Sequence, residues 1–129
     1  MLKEVYMTQR PIDNSARVAL LRVIHAAVAK GAALLDAQPA YLGWRKNIDL
    51  ETFNIASECR CVGGQLEGGY EMFVSCFVPS DVDRYYWAVE HGFLWPTTAA
   101  YDDKEEYIAR LQAAWELEIL RDPPLPPQP

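Results

Sequence analysis

Apolar side chains recur at three- and four-residue spacings through most of the chain, the repeat that gathers them on one face of a helix and not on alternate faces of a strand. The longest such pattern takes in Val18, Leu21, Ile24 or His25, Val28, Ala32 and Leu35. With Asp13, Asn14 and Ser15 as N-cap residues ahead of it, it predicts a helix from about Ser15 to Leu35. Gly31 weakens that helix by about 1 kcal/mol relative to Ala, so it marks either a tight helix contact or a break, and Gln38-Pro39 closes the segment. Tyr41, Leu42, Gly43 and Trp44 read as an aromatic loop, and Arg45-Lys46-Asn47 after it is the most basic point of the chain. Asp49 is placed to cap a short helical turn from Leu50 to Asn54, with Leu50 and Phe53 pointing the same way.

The stretch from Cys59 to Tyr70 holds two of the three cysteines and four of the seven glycines. Cys59, Val62, Leu66 and Tyr70 fall on one helical face behind Ser57 as cap, which predicts a short core helix ending at Gly68-Gly69, with a turn as the alternative. Gly63-Gly64 opposes helix formation, and is read as clearance for a neighbouring backbone. Glu71 to Val78 is an apolar run too short for periodicity to assign, and its neighbours favour helix. Asp81 and Asp83 favour the positive end of a helix from Val82 to His91 that Gly92 stops. Phe93 to Ala100 is an uncharged ordered loop. The last helix follows Asp102 or Asp103, with Glu106 and Arg110 paired at i,i+4, a stripe of Ile108, Leu111, Trp115 and Ile119, and Arg121 at its negative end. From Asp122 on, five prolines in eight residues forbid helix and favour polyproline II, and Pro123 to Pro126 matches a PxxP ligand. The fold class is therefore mainly α: a compact single-domain bundle of about five helices with ordered aromatic loops over residues 1–121, and a proline-rich tail at 122–129.

Composition narrows the setting. With 129 residues, half of them hydrophobic, the chain is long enough for one core and short for two. The net charge of −6 is unevenly placed: residues 1–64 carry eight Lys/Arg against six Asp/Glu, and residues 65–129 four against twelve. The acidic half would repel a phosphate backbone, so direct nucleic-acid binding is not expected. An odd cysteine count with a C-x-C pair gives no disulfide framework and points to a reducing compartment. No apolar region follows a basic start, and no uncharged stretch reaches the length of a membrane span, so a cytoplasmic protein without membrane contact is expected.

The candidate chemistry is thin. Cys59, Cys61, Cys76 and His91 could supply three sulfurs and one nitrogen to zinc, although C-x-C is not the usual knuckle spacing and free cysteines are often simply buried. A Cys61-His91 dyad would need the fold to bring the two together. His25 reads as a hydrogen-bonded core histidine and His91 as a helix C-terminal cap. No P-loop, dinucleotide-binding glycine pattern, HExxH or GxSxG is present, so no catalytic residues are assigned and no cofactor beyond that zinc is expected. Acidic pairs such as Asp102-Asp103 and Glu105-Glu106 suit capping, or an acidic imitation of nucleic acid that inhibits a DNA-handling protein.

Several blocks occur in a telling order: Gly31-Ala32-Ala33-Leu34-Leu35-Asp36, Gly43-Trp44 with Ile48-Asp49-Leu50, Cys61-Val62-Gly63-Gly64-Gln65-Leu66 with Tyr70, His91-Gly92-Phe93, and Ala114-Trp115-Glu116-Leu117-Glu118-Ile119. Over residues 31 to 119 this pattern resembles a set of small uncharacterised proteins of actinobacteria and their phages. It departs at Gly63, where the resemblance implies a large apolar residue such as Leu. The resemblance implies a phage or prophage accessory protein and carries over no functional site. The sequence thus predicts a non-enzymatic protein that binds a host or phage protein, in the host cytoplasm if phage-encoded. The loop aromatics Tyr41, Trp44, Trp95 and Tyr101 are the expected interface anchors, unless all four are core. The alternatives are the zinc- or thiol-dependent protein and the acidic mimic.

Overall fold

The computed structural model describes residues 14–97 and 104–121. The caps expected at Asp13, Asp102 and Asp103, the aromatic Tyr101 and the proline-rich tail lie outside these residues. Among the described residues there are five α-helices and two 3-10 turns: α1 (Asn14–Asp36), 3-10 turns at Pro39–Tyr41 and Trp44–Asn47, α2 (Val62–Glu67), α3 (Tyr70–Ser75), α4 (Asp81–Glu90) and α5 (Lys104–Leu120). No strand occurs among the described residues.

α1 buries Ile24, Ala27, Val28, Ala32 and Leu35 at helical spacing. Ile24 takes the core position and His25 beside it is exposed, which corrects the expectation of a core histidine: adjacent residues on a helix point about 100° apart, and only one can face inward. The helix runs unbroken past Gly31 because the glycine is a contact point. A Cβ there would lie 2.2 Å from the His91 carbonyl oxygen and 3.1 Å from the Trp115 ring. Gly92, at φ 77°, returns the approach, since a Cβ on it would come within 3.0 Å of the α1 backbone at Ala27 and Val28. Only glycine combines that left-handed conformation with that clearance.

α5 packs along α1 through Tyr107, Leu111, Ala114, Trp115 and Ile119, with Ile108 partly buried beside them. Trp115 is fully buried, and its indole N–H donates to the Gly92 carbonyl at 2.6 Å. Its ring lies parallel to Phe93 and edge-on to Trp44. From Phe93 the aromatic contacts continue to Phe73 and Trp87, and on to Phe77. One connected set of aromatic rings therefore joins the 3-10 turn at Trp44–Asn47 with α3, α4 and α5.

The short core helix predicted from the Cys59 stretch ends at Gly68 as expected but starts later than its stripe implied. α2 begins only at Val62 and stops at Gly68, whose φ of 87° is left-handed, and α3 starts afresh at Tyr70. Cys59 is exposed and precedes the helix, so it is not part of a buried stripe. The glycine clearance is real on both counts: a Cβ on Gly63 would strike the Phe73 side chain at 2.4 Å, and one on Gly64 the Glu58 carbonyl at 2.2 Å. Phe73 is fully buried and has nowhere to retreat. A Leu at position 63 is excluded by this packing. Of the run from Glu71 to Val78, the part up to Ser75 is helix, as its neighbours suggested, and Cys76 to Val78 leave the helix.

The turn of helix expected from Leu50 to Asn54 is an Asx turn, with Asp49 Oδ1 accepting from the Glu51 N–H at 3.0 Å. Phe53 and Ile55 are still buried. With no helix between Ile48 and Cys61, two glutamines stand in for backbone partners. Gln112 accepts from the Ile55 N–H and donates to the Phe53 carbonyl. Gln65 accepts from the Asp49 N–H and donates to the Asp49 and Arg60 carbonyls.

Arg45, in the most basic stretch of the chain, is held among charges. Its guanidinium donates to Asp36 Oδ1 at 2.7 Å, to the Glu118 carbonyl at 3.0 Å and to the Glu118 carboxylate, and it lies 4.5 Å over the Trp44 ring. Glu118 is buried, and Arg121 approaches its second oxygen at 3.3 Å. Burial raises the Asp36 carboxyl, but the hydrogen bonds from Arg45 and Trp44 outweigh it and hold the group below the usual carboxylate value.

Two outcomes follow from this packing. Gly31→Ala forces a backbone shift between α1 and the His91–Gly92 turn and destabilises by about 2 kcal/mol or more. Gly69→Ala, at an extended backbone position with open space around it, stays within about 0.5 kcal/mol; urea unfolding of the two variants checks the contrast. Because the folded Asp36 value is depressed, its contribution is present above the ordinary carboxylate range and is lost as pH falls through the folded value. Asp36→Asn therefore removes stability at neutral pH and flattens the loss of stability below about pH 4, read from melting temperature against pH.

Candidate functional site

Two of the expected interface anchors are structural. Tyr41 is buried, and its hydroxyl donates to Glu67 at 2.6 Å. Burial first, and the Glu67 carboxylate second, push its phenol far above the ordinary value. Trp44 is 2% exposed, and its indole N–H donates to Asp36 at 2.8 Å. The correction has a simple cause: the 3-10 turns at Pro39–Tyr41 and Trp44–Asn47 roll both rings inward, so the segment between α1 and Ile48 is a core element and not a displayed loop. Trp95 is partly buried against the core cluster. Tyr101 lies outside the described residues.

The sulfur ligands proposed for zinc are dispersed. Cys61 is the N-cap of α2, its sulfur accepting from the Gly64 N–H at 3.2 Å. Burial raises its thiol above the ordinary value, partly opposed by hydrogen bonds from the helix-terminal N–H groups. Cys59 is exposed in the preceding turn, and Cys76 is exposed at the end of α3, where its thiol donates to the Met72 carbonyl. His91 caps α4, with its ring against Trp87 at 4.6 Å and its Nδ1 2.8 Å from the Trp87 carbonyl. Among the described residues no three His, Cys, Asp or Glu side chains form a group that could hold a metal ion. The fold brings neither the four ligands nor the Cys61-His91 dyad together as a site.

The carboxylates of α5 are largely occupied by the protein itself. Glu106 pairs with Arg17 and Arg110, Glu116 accepts from Gln112, and Glu118 is buried with Arg45 and Arg121. Of the four glutamates on this helix, only Glu105 is exposed.

The surface feature with most to offer is one that residue chemistry alone does not mark. α1 is long and apolar enough to cross a membrane by length and composition, with a mean hydropathy of 1.7 over its best window, yet only 28% of that window is buried. Val18 and Val23 are 45% and 58% exposed, and Ala19, Ala26, Ala29 and Ala33 are exposed as well. Beside this face runs an open groove of about 550 Å³. Leu20, Val23 and Ala26 form its α1 wall, and Val89, Pro96 and Tyr107 the opposite one. The Lys30–Glu90 ion pair joins the two walls at one end. The signal available in the sequence was the surplus of apolar residues on α1 over the single stripe that the core uses.

Thiol accessibility tests this placement. In folded protein, Cys59 and Cys76 react promptly with a disulfide reagent, while Cys61 reacts only on unfolding; a third fast thiol would mean that the α2 N-terminus is open. Cys59→Ser and Cys76→Ser leave stability within about 0.5 kcal/mol, whereas Cys61→Ala removes a cap and costs about 1 kcal/mol. Set against known proteins, the chain matches no family model, no curated protein and no solved structure.

Proposed function

We propose that this is a non-enzymatic accessory protein, of a phage or prophage, that acts in the cytoplasm by binding another protein through the groove between α1 and α4. The observation that carries this reading is the apolar face of α1, which stays uncovered along its length while the opposite face is in the core. Exposed apolar surface of that extent on a folded domain is the usual mark of an interaction site. The phage setting rests on the pattern from Gly31 to Ile119 that resembles proteins of actinobacteria and their phages. Relative to the sequence-based expectation, the binding surface moves from the loop aromatics to α1, because Tyr41 and Trp44 are committed to the core.

The test uses Val23, which is exposed enough for substitution to leave folding within about 0.5 kcal/mol. A photo-crosslinking residue at position 23, expressed in an actinobacterial host with and without phage infection, is expected to link one specific protein identifiable by mass spectrometry. Co-purification of that protein disappears in Val23→Glu while the melting temperature holds. No specific adduct, or an adduct that Val23→Glu leaves in place, overturns the reading.

A further inference from the structure

The outward side of α5 carries one row of residues spaced four apart: Glu105, Ala109, Ala113, Leu117 and Arg121. All five are exposed, with Leu117 at 65% and Leu120 beside it at 62%. Arg121 follows the last residue of the helix and keeps to its path, its N–H donating to the Glu118 carbonyl. Rows of this spacing are the ridges by which helices most often pack together, at an interaxial angle of about −50°. We infer that this ridge is a contact between two copies of the chain, in which α5 crosses its counterpart antiparallel about a two-fold axis at Ala113. None of the five residues lines the groove between α1 and α4, so the contact is separate from that groove.

A second copy is singled out because the ridge is its own complement. On either side of Ala113 stand first Ala109 and Leu117, then Glu105 and Arg121, at equal distances along the chain. An antiparallel crossing about Ala113 sets each Leu117 against the partner's Ala109, and each Glu105 against the partner's Arg121. A large side chain meets a small one, and an acid meets a base, each twice by symmetry. Position 113 meets itself, where only a small side chain lets two helices close. Glu105 has no ion-pair partner among the described residues. Arg121 is 60% exposed and touches Glu118, a carboxylate that Arg45 already holds. The antiparallel crossing also lays the positive end of each helix beside the negative end of the other.

The other occupants fit less well. A foreign helix would have to repeat this pattern in reverse, which the chain itself already supplies. An anionic membrane would repel a chain of net charge −6. From Glu105 to Arg121 the ridge is about 24 Å long, and two helices crossing at about 50° touch over less than that. The contact therefore lies at the small, transient end of protein interfaces. It gives a weak dimer, with a Kd on the order of 100 µM, held in part by ion pairs that salt screens.

The experiment is sedimentation equilibrium of the full chain from about 10 µM to about 1 mM at low salt. A monomer–dimer equilibrium is expected, weakened severalfold at about 0.5 M NaCl. Ala113→Glu sets two like charges on the axis and removes the dimer. Glu105→Arg and Arg121→Glu each weaken self-association at least about tenfold. Mixed in equal amounts, these two variants associate with each other at least as well as the native chain does with itself, because the mixed pair sets two bases against two acids. The two positions lie about 24 Å apart in one chain, so no repair within a molecule produces that result. Val23→Glu, in the groove, leaves the dimer in place, and circular dichroism confirms that each variant is folded. A monomer over the whole range, or a dimer indifferent to Ala113→Glu, overturns the inference. So does a mixture that associates no better than either variant alone, or a dimer lost in Val23→Glu.

Discussion

The architecture depends on one close approach. α1 at Gly31 meets the carbonyl of His91, and the next carbonyl, that of Gly92, accepts from the indole of Trp115. Both carbonyls belong to the end of α4, where the helix has run out of N–H donors of its own. Trp115 satisfies one of these groups from inside the core, where an unpaired acceptor would cost about 1–3 kcal/mol. The absence of side chains at positions 31 and 92 lets three helices meet at a single point. Everything that stacks on Trp115, from Trp44 to Phe93 and beyond, takes its position from that junction.

The second constraint is electrostatic. Arg45 makes hydrogen bonds to the end of α1 and to the end of α5, with its own guanidinium laid over Trp44. Removing one member of such a group leaves a buried charge unanswered, which is far more damaging than replacing the whole group with apolar residues. The network therefore contributes register more than net stability: it fixes which turn of α1 lies beside which turn of α5. Arg45 is in this way spent on internal geometry, while Lys46 beside it in the chain stays exposed.

Much of the fold was legible because helices announce themselves by spacing and by their ends. α1 and α5, Gly92 as a stop and Gly68 as a C-cap could all be read from periodicity and backbone preference. What could not be read was depth. Tyr41 and Trp44 sit in a segment with no helical period, and only the 3-10 turns decide that their rings face inward. Cys59 fitted the spacing of a buried stripe but lies before the helix begins, because Cys61 is the residue that caps it. The choice between Ile24 and His25 is about 100° of helix rotation, which a pattern with both residues present does not resolve. The groove was invisible for the opposite reason: alanines and valines outside the core stripe carry no chemical label, and their exposure is a property of what packs elsewhere.

The paired glutamines have a consequence for the order in which this molecule can assemble. The segment from Ile48 to Cys61 contains no helix, and its backbone finds partners at Gln65 and, across 57 residues of chain, at Gln112. Such a contact forms only after a long loop has closed, so the ordering of Phe53 and Ile55 waits on the docking of α5. In a chain made on the ribosome, α5 emerges after the other described helices. Until it docks, the segment from Ile48 to Cys61 holds two large apolar side chains, Phe53 and Ile55, without the Gln112 partner of their backbone.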